Sequence, residues 1–220
     1  MFGTLDHLMS KADALPHGAR YILGIVGFPG SGKSTLAAAL VERVNQRRPA
    51  LAAAVPMDGF HLSNSQLEAE GNRGLKGVPE TFDADGLIAL MEELRHIPAR
   101  RVSCPAFERT LDEPTPDKIL IEPHHRLLII EGNYLLLKQA PWHRAVELLD
   151  ECWYIDATTD EILPRLMERH MAGGKTQEEA RRKVESTDLP NARLIEQTRK
   201  FADCIISQAD VSALLAQPVT

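Results

Sequence analysis

The residues best placed to do chemistry lie at positions 27–35, in the run GFPGSGKST. Residues 27–34 fit the spacing GxxxxGK[ST]. Its glycines permit a turn tight enough for successive backbone N–H groups, and the N-terminus of the helix that follows, to surround phosphates. Gly27, Pro29, Gly30, Ser31 and Gly32 are expected to form the cradle. Lys33 is expected to reach β- and γ-phosphates, Ser34 to offer its hydroxyl to Mg²⁺, and Thr35 to support a phosphate oxygen. ATP and Mg²⁺ are the ligands implied. Taken alone, such a loop supports only nucleotide binding, which switches, motors and transporters share.

The elements that must hold this loop can be read from hydrophobic period. Residues 21–26, YILGIV, form an apolar run before the glycines, and residues 33–48 then place Leu36, Leu40 and Val44 on one stripe, with Pro49 as the stop. A short amphipathic helix is expected over residues 4–13. Further strands are expected at 51–57, 101–106, 126–130, 151–155 and 203–207, and helices at 84–96 and 142–149. Residues 160–203 read as mostly helical, broken at Met171-Ala-Gly-Gly and at Asp188-Leu-Pro, with Pro164 obscuring the first helix start. Residues 62–81 read as an irregular excursion with at most one helical turn, and LDEPTPD as a connection. Strands alternating with helices predict an α/β, three-layer architecture: a mainly parallel sheet covered by helices on both faces, in a single domain over residues 1–220.

In an open α/β sheet, ligands bind beyond the C-terminal strand ends, so acids there converge on one crevice. Asp58, Glu131 and Asp156 each stand at such an end. An acid in that place can hold Mg²⁺, directly or through water, or accept a proton from an acceptor hydroxyl. Asp156 is equally suited to capping a turn.

Asp58-Gly-Phe-His-Leu-Ser-Asn, Gly77-Val-Pro-Glu-Thr-Phe-Asp83 and Ile130-Glu-Gly-Asn-Tyr-Leu-Leu, in that order after the loop, resemble the P-loop family of uridine kinases, phosphoribulokinases and type I pantothenate kinases. Together they span residues 21–137, and Arg165-Leu-Met-Glu-Arg169-His is similar to the family's lid. The resemblance implies a P-loop NTPase fold with a helical lid at about 160–190, Asp58 as the base near the acceptor hydroxyl, and Glu131 as a support for magnesium. Arg165 and Arg169 are one helical turn apart, so both can face the transferring phosphoryl group, or else form a solvated basic face beside Glu168.

On the acceptor side the resemblance implicates Glu80 and Asp83, the latter also a candidate helix cap, with His61, Asn64, Phe107 and Arg109 as further candidates. Uridine kinases usually carry tyrosine just after the Asp-x-Phe unit, where this chain has His61, a departure that argues against uridine as the acceptor. Lys175 and Arg181 read as surface residues. The implied activity is ATP-dependent phosphoryl transfer to an alcohol group of a small metabolite.

Composition narrows the field. A net charge of −6 argues against nucleic acid or an anionic membrane as the main partner. Cys104, Cys152 and Cys204 lack disulfide or zinc spacing, and no run approaches membrane-helix length, so a soluble cytoplasmic protein is expected. A guanine-binding Asn-Lys-x-Asp and a transporter-type LSGGQ segment are both missing. Asp83-Ala-Asp-Gly86 fits DxxG but opens a helix instead of ending a strand.

Overall fold

The computed structural model describes residues 5–216. In chain order the elements are α1 (Leu5–Ala14), β1 (Tyr21–Gly27), α2 (Lys33–Arg47), β2 (Ala52–Pro56), α3 (Asn64–Ala69), α4 (Ala84–Leu94), β3 (Val102–Glu108) and β4 (Glu113–Ile121). They continue with β5 (Leu127–Glu131), α5 (His143–Glu147), β6 (Glu151–Asp156), α6 (Thr159–Ala172), α7 (Gln177–Lys183), α8 (Leu189–Glu196), β7 (Cys204–Ser207) and α9 (Gln208–Ala216). Thr4, expected to start the first helix, lies outside the described residues.

Five parallel strands form the main sheet in the order β2-β5-β1-β6-β7, with Gly24 of β1 opposite Ile130 on one side and Cys152 on the other. The period of two divides their side chains between two cores. Leu23, Ile25, Leu127, Ile129, Trp153 and Ile155 meet α1, α2 and α9 through Leu8, Leu36, Leu40, Val44 and Val211. Ile22, Leu128, Ile130, Cys152 and Tyr154 point the other way, onto Leu87 and Met91 of α4, Ile162 and Leu166 of α6, and Ile195 of α8. Burial on both faces explains why β1 and β5 read as unbroken apolar runs. The expected three-layer α/β architecture is therefore present. The buried Arg20 guanidinium fastens its lower edge, donating to the carbonyls of Leu94, Arg100, Glu122 and His125 at 2.7–3.2 Å.

Four local expectations are corrected. The LDEPTPD connection enters β4, which pairs antiparallel with β3 in a separate hairpin, so the 101–106 strand does not join the main sheet. Prolines are tolerated there because the pair lies outside the main ladder and carries a register shift between Cys104 and Ala106. The 62–81 excursion holds a full short helix, α3, started by a capping box between Ser63 and Gln66, and two 3₁₀ turns, Arg73–Leu75 and Pro79–Thr81. At Asp188-Leu-Pro the helix does not break: a π-helical turn over Val184–Asp188 carries α7 into α8, with Pro190 in the first turn of α8 where a missing N–H costs little. The last strand is followed by a ninth helix, α9, and a capping box between Thr158 and Glu161 starts α6 ahead of Pro164. Among the described residues no helix is long and apolar enough to cross a membrane.

Candidate active site

Residues 27–32 turn the end of β1 into the start of α2. The turn needs a left-handed backbone at Gly30 and Gly32, whose φ angles are 79° and 95°. A Cβ on Gly30 would press within 3.3 Å of Leu166 on α6, so the loop also seats the first helix of the 160–190 segment. Around Gly32 the space is open, with nothing within 4 Å of a built Cβ. Lys33 is only 8% exposed, and its ammonium donates to the carbonyls of Gly27 and Phe28 at 3.0 and 2.9 Å. Burial pushes that ammonium down to about 8, against the opposing charges of Glu131 and Asp58. The buried hydroxyl oxygen of Ser31 has no hydrogen-bond partner, an unsatisfied polar atom inside a phosphate-shaped cradle.

Beside the loop, Ser34 donates its hydroxyl to Glu131 Oε1 at 2.9 Å. Glu131 ends β5 and is 6% exposed; burial first, then the Asp58 carboxylate, hold it above the ordinary carboxylate range. Asp58, in the 3₁₀ turn Met57–Phe60 at the end of β2, lies near enough for its charge to act on Lys33, Glu131 and His61. Arg109 completes the set from the tip of the β3–β4 hairpin, its charge falling on Glu131. Parallel pairing of β2 with β5, register Pro56 to Glu131, brings these two strand ends together. Asp156 does not join them: it ion-pairs with Arg199 at 2.9 Å.

These groups fit a nucleotide with a hard cation. The donor set is all oxygen, from a hydroxyl and a carboxylate, as Mg²⁺ prefers. Among the described residues no group of three or more His, Cys, Asp or Glu side chains gathers for a metal. A cation here would therefore draw its remaining ligands from phosphate oxygens and water.

Arg165 and Arg169 both lie on α6, but they meet different partners. The Arg165 guanidinium donates to the Gly30 carbonyl at 3.2 Å and to Gln208 Oε1 at 2.8 Å, while Gln208 itself donates to the Ser31 carbonyl. Arg169 reaches toward the loop, since its charge acts on Lys33, and is tethered 3.5 Å from Asp188. Neighbouring His170 meets the same carboxylate at 2.7 Å. Lys175 is exposed, and Arg181 is exposed and paired with Glu178 and Glu185.

On the other side, the His61 ring lies between Phe82 and Phe107, with centroids 4.0 and 4.7 Å away. Its Nδ1 donates to the Asp58 carbonyl at 2.8 Å, and burial keeps the ring below its ordinary titration range. Asp83 caps α4, accepting from the Gly86 N–H at 2.9 Å. Glu80 projects its charge onto Tyr134. A cleft of about 330 Å³ opens among Leu62, Glu80, Phe82, Asp83, Gln139 and Trp142. Neither Asp58 nor the phosphate loop lines it. Asn64 is occupied structurally, holding Glu113 and the Asp112 carbonyl.

Several residues that shape this site have no signature in the sequence. Gln208 braces the loop from α9. Lys76, 7% exposed, straps the hairpin to the 62–81 segment by donating to Asn64 Oδ1 at 2.7 Å and to the Asp112 carbonyl. Tyr134, inside a motif that drew notice only for Glu131, packs edge-on against Phe82 and Trp142.

Residues 22–214 match the model of the "Phosphoribulokinase / Uridine kinase family". A Schizosaccharomyces pombe protein named "Putative uridine kinase" is 36% identical over 93% of this chain and 91% of its own length. The "ATP-dependent kinase YFH7" of Zygosaccharomyces rouxii is 33% identical over 64% of this chain and 47% of its own. A crystal structure from Silicibacter, titled "putative fructose transport system kinase", superposes with a TM-score of 0.81 at 35% identity, covering 92% of this chain and 98% of that one. With most of its length matched by the family model and by these relatives, the chain belongs to the phosphoribulokinase and uridine kinase family and is an ATP-dependent P-loop kinase.

Proposed function

We propose that this kinase transfers the γ-phosphoryl group of ATP to an alcohol group of a small metabolite, with Mg²⁺ as the cation. The observation that carries this reading is the 2.9 Å contact of Ser34 with Glu131 beside a buried Lys33, within the field of Asp58. Ser34 and Glu131 are the side chains that would hold a magnesium ion, which would supply charge neutralisation at the phosphates. Lys33, released from the Gly27 and Phe28 carbonyls, neutralises the β- and γ-phosphates. Asp58 accepts the acceptor hydroxyl's proton. A modest base suffices, because a loose phosphoryl-transfer transition state needs positioning and charge neutralisation more than early proton removal.

Arg169 adds positive charge from α6 at the transferring group. Arg165, with its guanidinium on the Gly30 carbonyl, holds the loop in shape from outside. Closure of the segment around residues 160–190 over the cleft would exclude water. His61, Glu80, Phe107 and Arg109 shape the acceptor side, while Asp83 contributes by fixing the start of α4. Nucleosides, pantothenate-like alcohols and sugars are the acceptor classes in question, and the names of the relatives above add uridine and fructose to the set to be tried.

The test is ADP release from MgATP against a panel of nucleosides, pantothenate, sugars and polyols. Turnover stimulated by one class identifies the acceptor. An absence of stimulation across a broad panel, with nucleotide still bound, favours a nucleotide-dependent switch.

A further inference from the structure

The Gly77 carbonyl, at the turn leading into Glu80 and Phe82, receives two side-chain hydrogen bonds. Tyr134 donates its hydroxyl at 2.5 Å and Asn191 its amide at 2.9 Å. Gly77 has φ 108°, so the turn adopts a conformation that side chains other than glycine's strain to reach. One and three residues before Gly77, the carbonyls of Lys76 and Gly74 accept from the Lys183 ammonium at 2.8 and 3.3 Å. Asn191 is 4% exposed and belongs to α8; Lys183 ends α7. The helices that return from α6 therefore grip the backbone of the acceptor-side loop directly.

The same helical segment touches the nucleotide side. Asp188, in the π-helical turn between Lys183 and Asn191, holds Arg169 and His170 of α6, and the same helix meets the phosphate loop where Arg165 donates to the Gly30 carbonyl and Leu166 lies against Gly30. A continuous helical segment whose inward residues, among them Val184, Thr187, Asp188, Asn191 and Ile195, are buried has few ways to move one end without the other.

We infer that Asn191 and Tyr134 are positioning residues for the acceptor side, and that α7, the π-helical turn and α8 act as a strut through which nucleotide binding at the phosphate loop orders residues 74–82. This rests on the kinase reading above and deepens it: donor and acceptor occupancy are coupled, and by linkage each ligand tightens the other.

The probe is ADP with MgCl₂, and the readouts are its dissociation constant and amide hydrogen exchange of segments 27–35 and 74–82. In the unaltered protein, saturating ADP slows exchange in both segments. In Asn191→Leu, the ADP dissociation constant stays within about twofold, while exchange in 74–82 without ADP rises roughly tenfold, the worth of one buried hydrogen bond. ADP no longer slows exchange there but still protects 27–35. Tyr134→Phe, which removes one hydroxyl and keeps the ring, gives the same pattern at smaller amplitude and serves alone if Asn191→Leu does not fold. Loss of the ADP-dependent protection in 74–82, with protection in 27–35 retained, is an effect that simple destabilisation does not produce. Unchanged exchange in 74–82, or equal acceleration in both segments, overturns the inference. An unaltered protein that binds no ADP sinks the kinase reading instead.

Discussion

Lys33 hydrogen-bonds to carbonyls five and six residues behind it, whereas the Gly77 carbonyl on the acceptor side is held by groups 57 and 114 residues away. The phosphate loop is shaped largely by its own glycines and by the strand and helix it joins. The proposed acceptor side is assembled from the 62–82 segment, a hairpin outside the main sheet, Tyr134 after β5, and the α7–α8 helix. One half can be carried intact by a short sequence in many contexts. The other exists only when distant pieces dock, and so can vary with the substrate. This contrast predicts that substitutions will separate cleanly into those that remove chemistry and those that disorder the acceptor side.

The largest separation is expected at Lys33. Lys33→Met should lower turnover by roughly 10³-fold, the scale of losing one preorganised charge at a phosphoryl group, while leaving exchange in 74–82 of the nucleotide-free protein as it was. A loss of acceptor-side order in this variant would mean that the two halves do not fold independently. Asp58→Asn comes next: turnover should fall about 10²-fold, a typical general-base contribution, with ADP affinity unchanged by isothermal titration. Equal turnover would remove Asp58 as the base.

Lys76→Met tests the other half. Its ammonium bonds Asn64 and the Asp112 carbonyl and lies 5.0 Å from the Phe107 ring centre. Denaturant unfolding should show a loss of about 1–3 kcal/mol, the cost of stranding partners of a buried charged donor, with ADP affinity preserved. Weakened ADP binding would instead tie the strap to the donor half.

The smallest effect is in pH. His61 titrates below its ordinary value of 6.5 because it is buried. The unfolded chain therefore takes up the proton first, and stability declines as pH falls through 6.5 toward the lower folded value. His61→Phe, which keeps an aromatic ring between Phe82 and Phe107, should flatten the curve in that window; an unchanged curve would assign the acid sensitivity elsewhere.

The donor half was legible in the sequence for the reason the comparison gives. Glycine spacing, an apolar run and a periodic helix are local, and Asp58 and Glu131 stand where parallel strands deliver their C-terminal ends. The five strands of the main sheet and most of the helices that cover it followed from hydrophobic period with glycine and proline punctuation, although α9 did not. Of the proposed acceptor half, the sequence offered candidate residues but not the build that holds them. Pro114 and Pro116 masked β4, since prolines are excluded from central strands but not from an isolated hairpin. Ser63 and Gln66 carried a capping-box signal for α3 that the surrounding glycines obscured. Pro190 suggested a break that the π-helical turn absorbs. Asn191 and Lys183 look like any polar helical residues, because their partners lie across the fold. Arg165 and Arg169 share a helix face as their spacing predicts, yet one is drawn to the outside of the loop by Gln208, a residue with no signal of its own.

The measurement closest to the central claim follows the phosphorus atom itself. MgATP labelled with ³²P at the γ position is incubated with the protein and the alcohol panel, and the products are separated. The kinase account predicts label in a new phosphomonoester of one acceptor class, with transfer falling about 10²-fold in Asp58→Asn. Label found only in inorganic phosphate or left in ATP, across the whole panel, would contradict it.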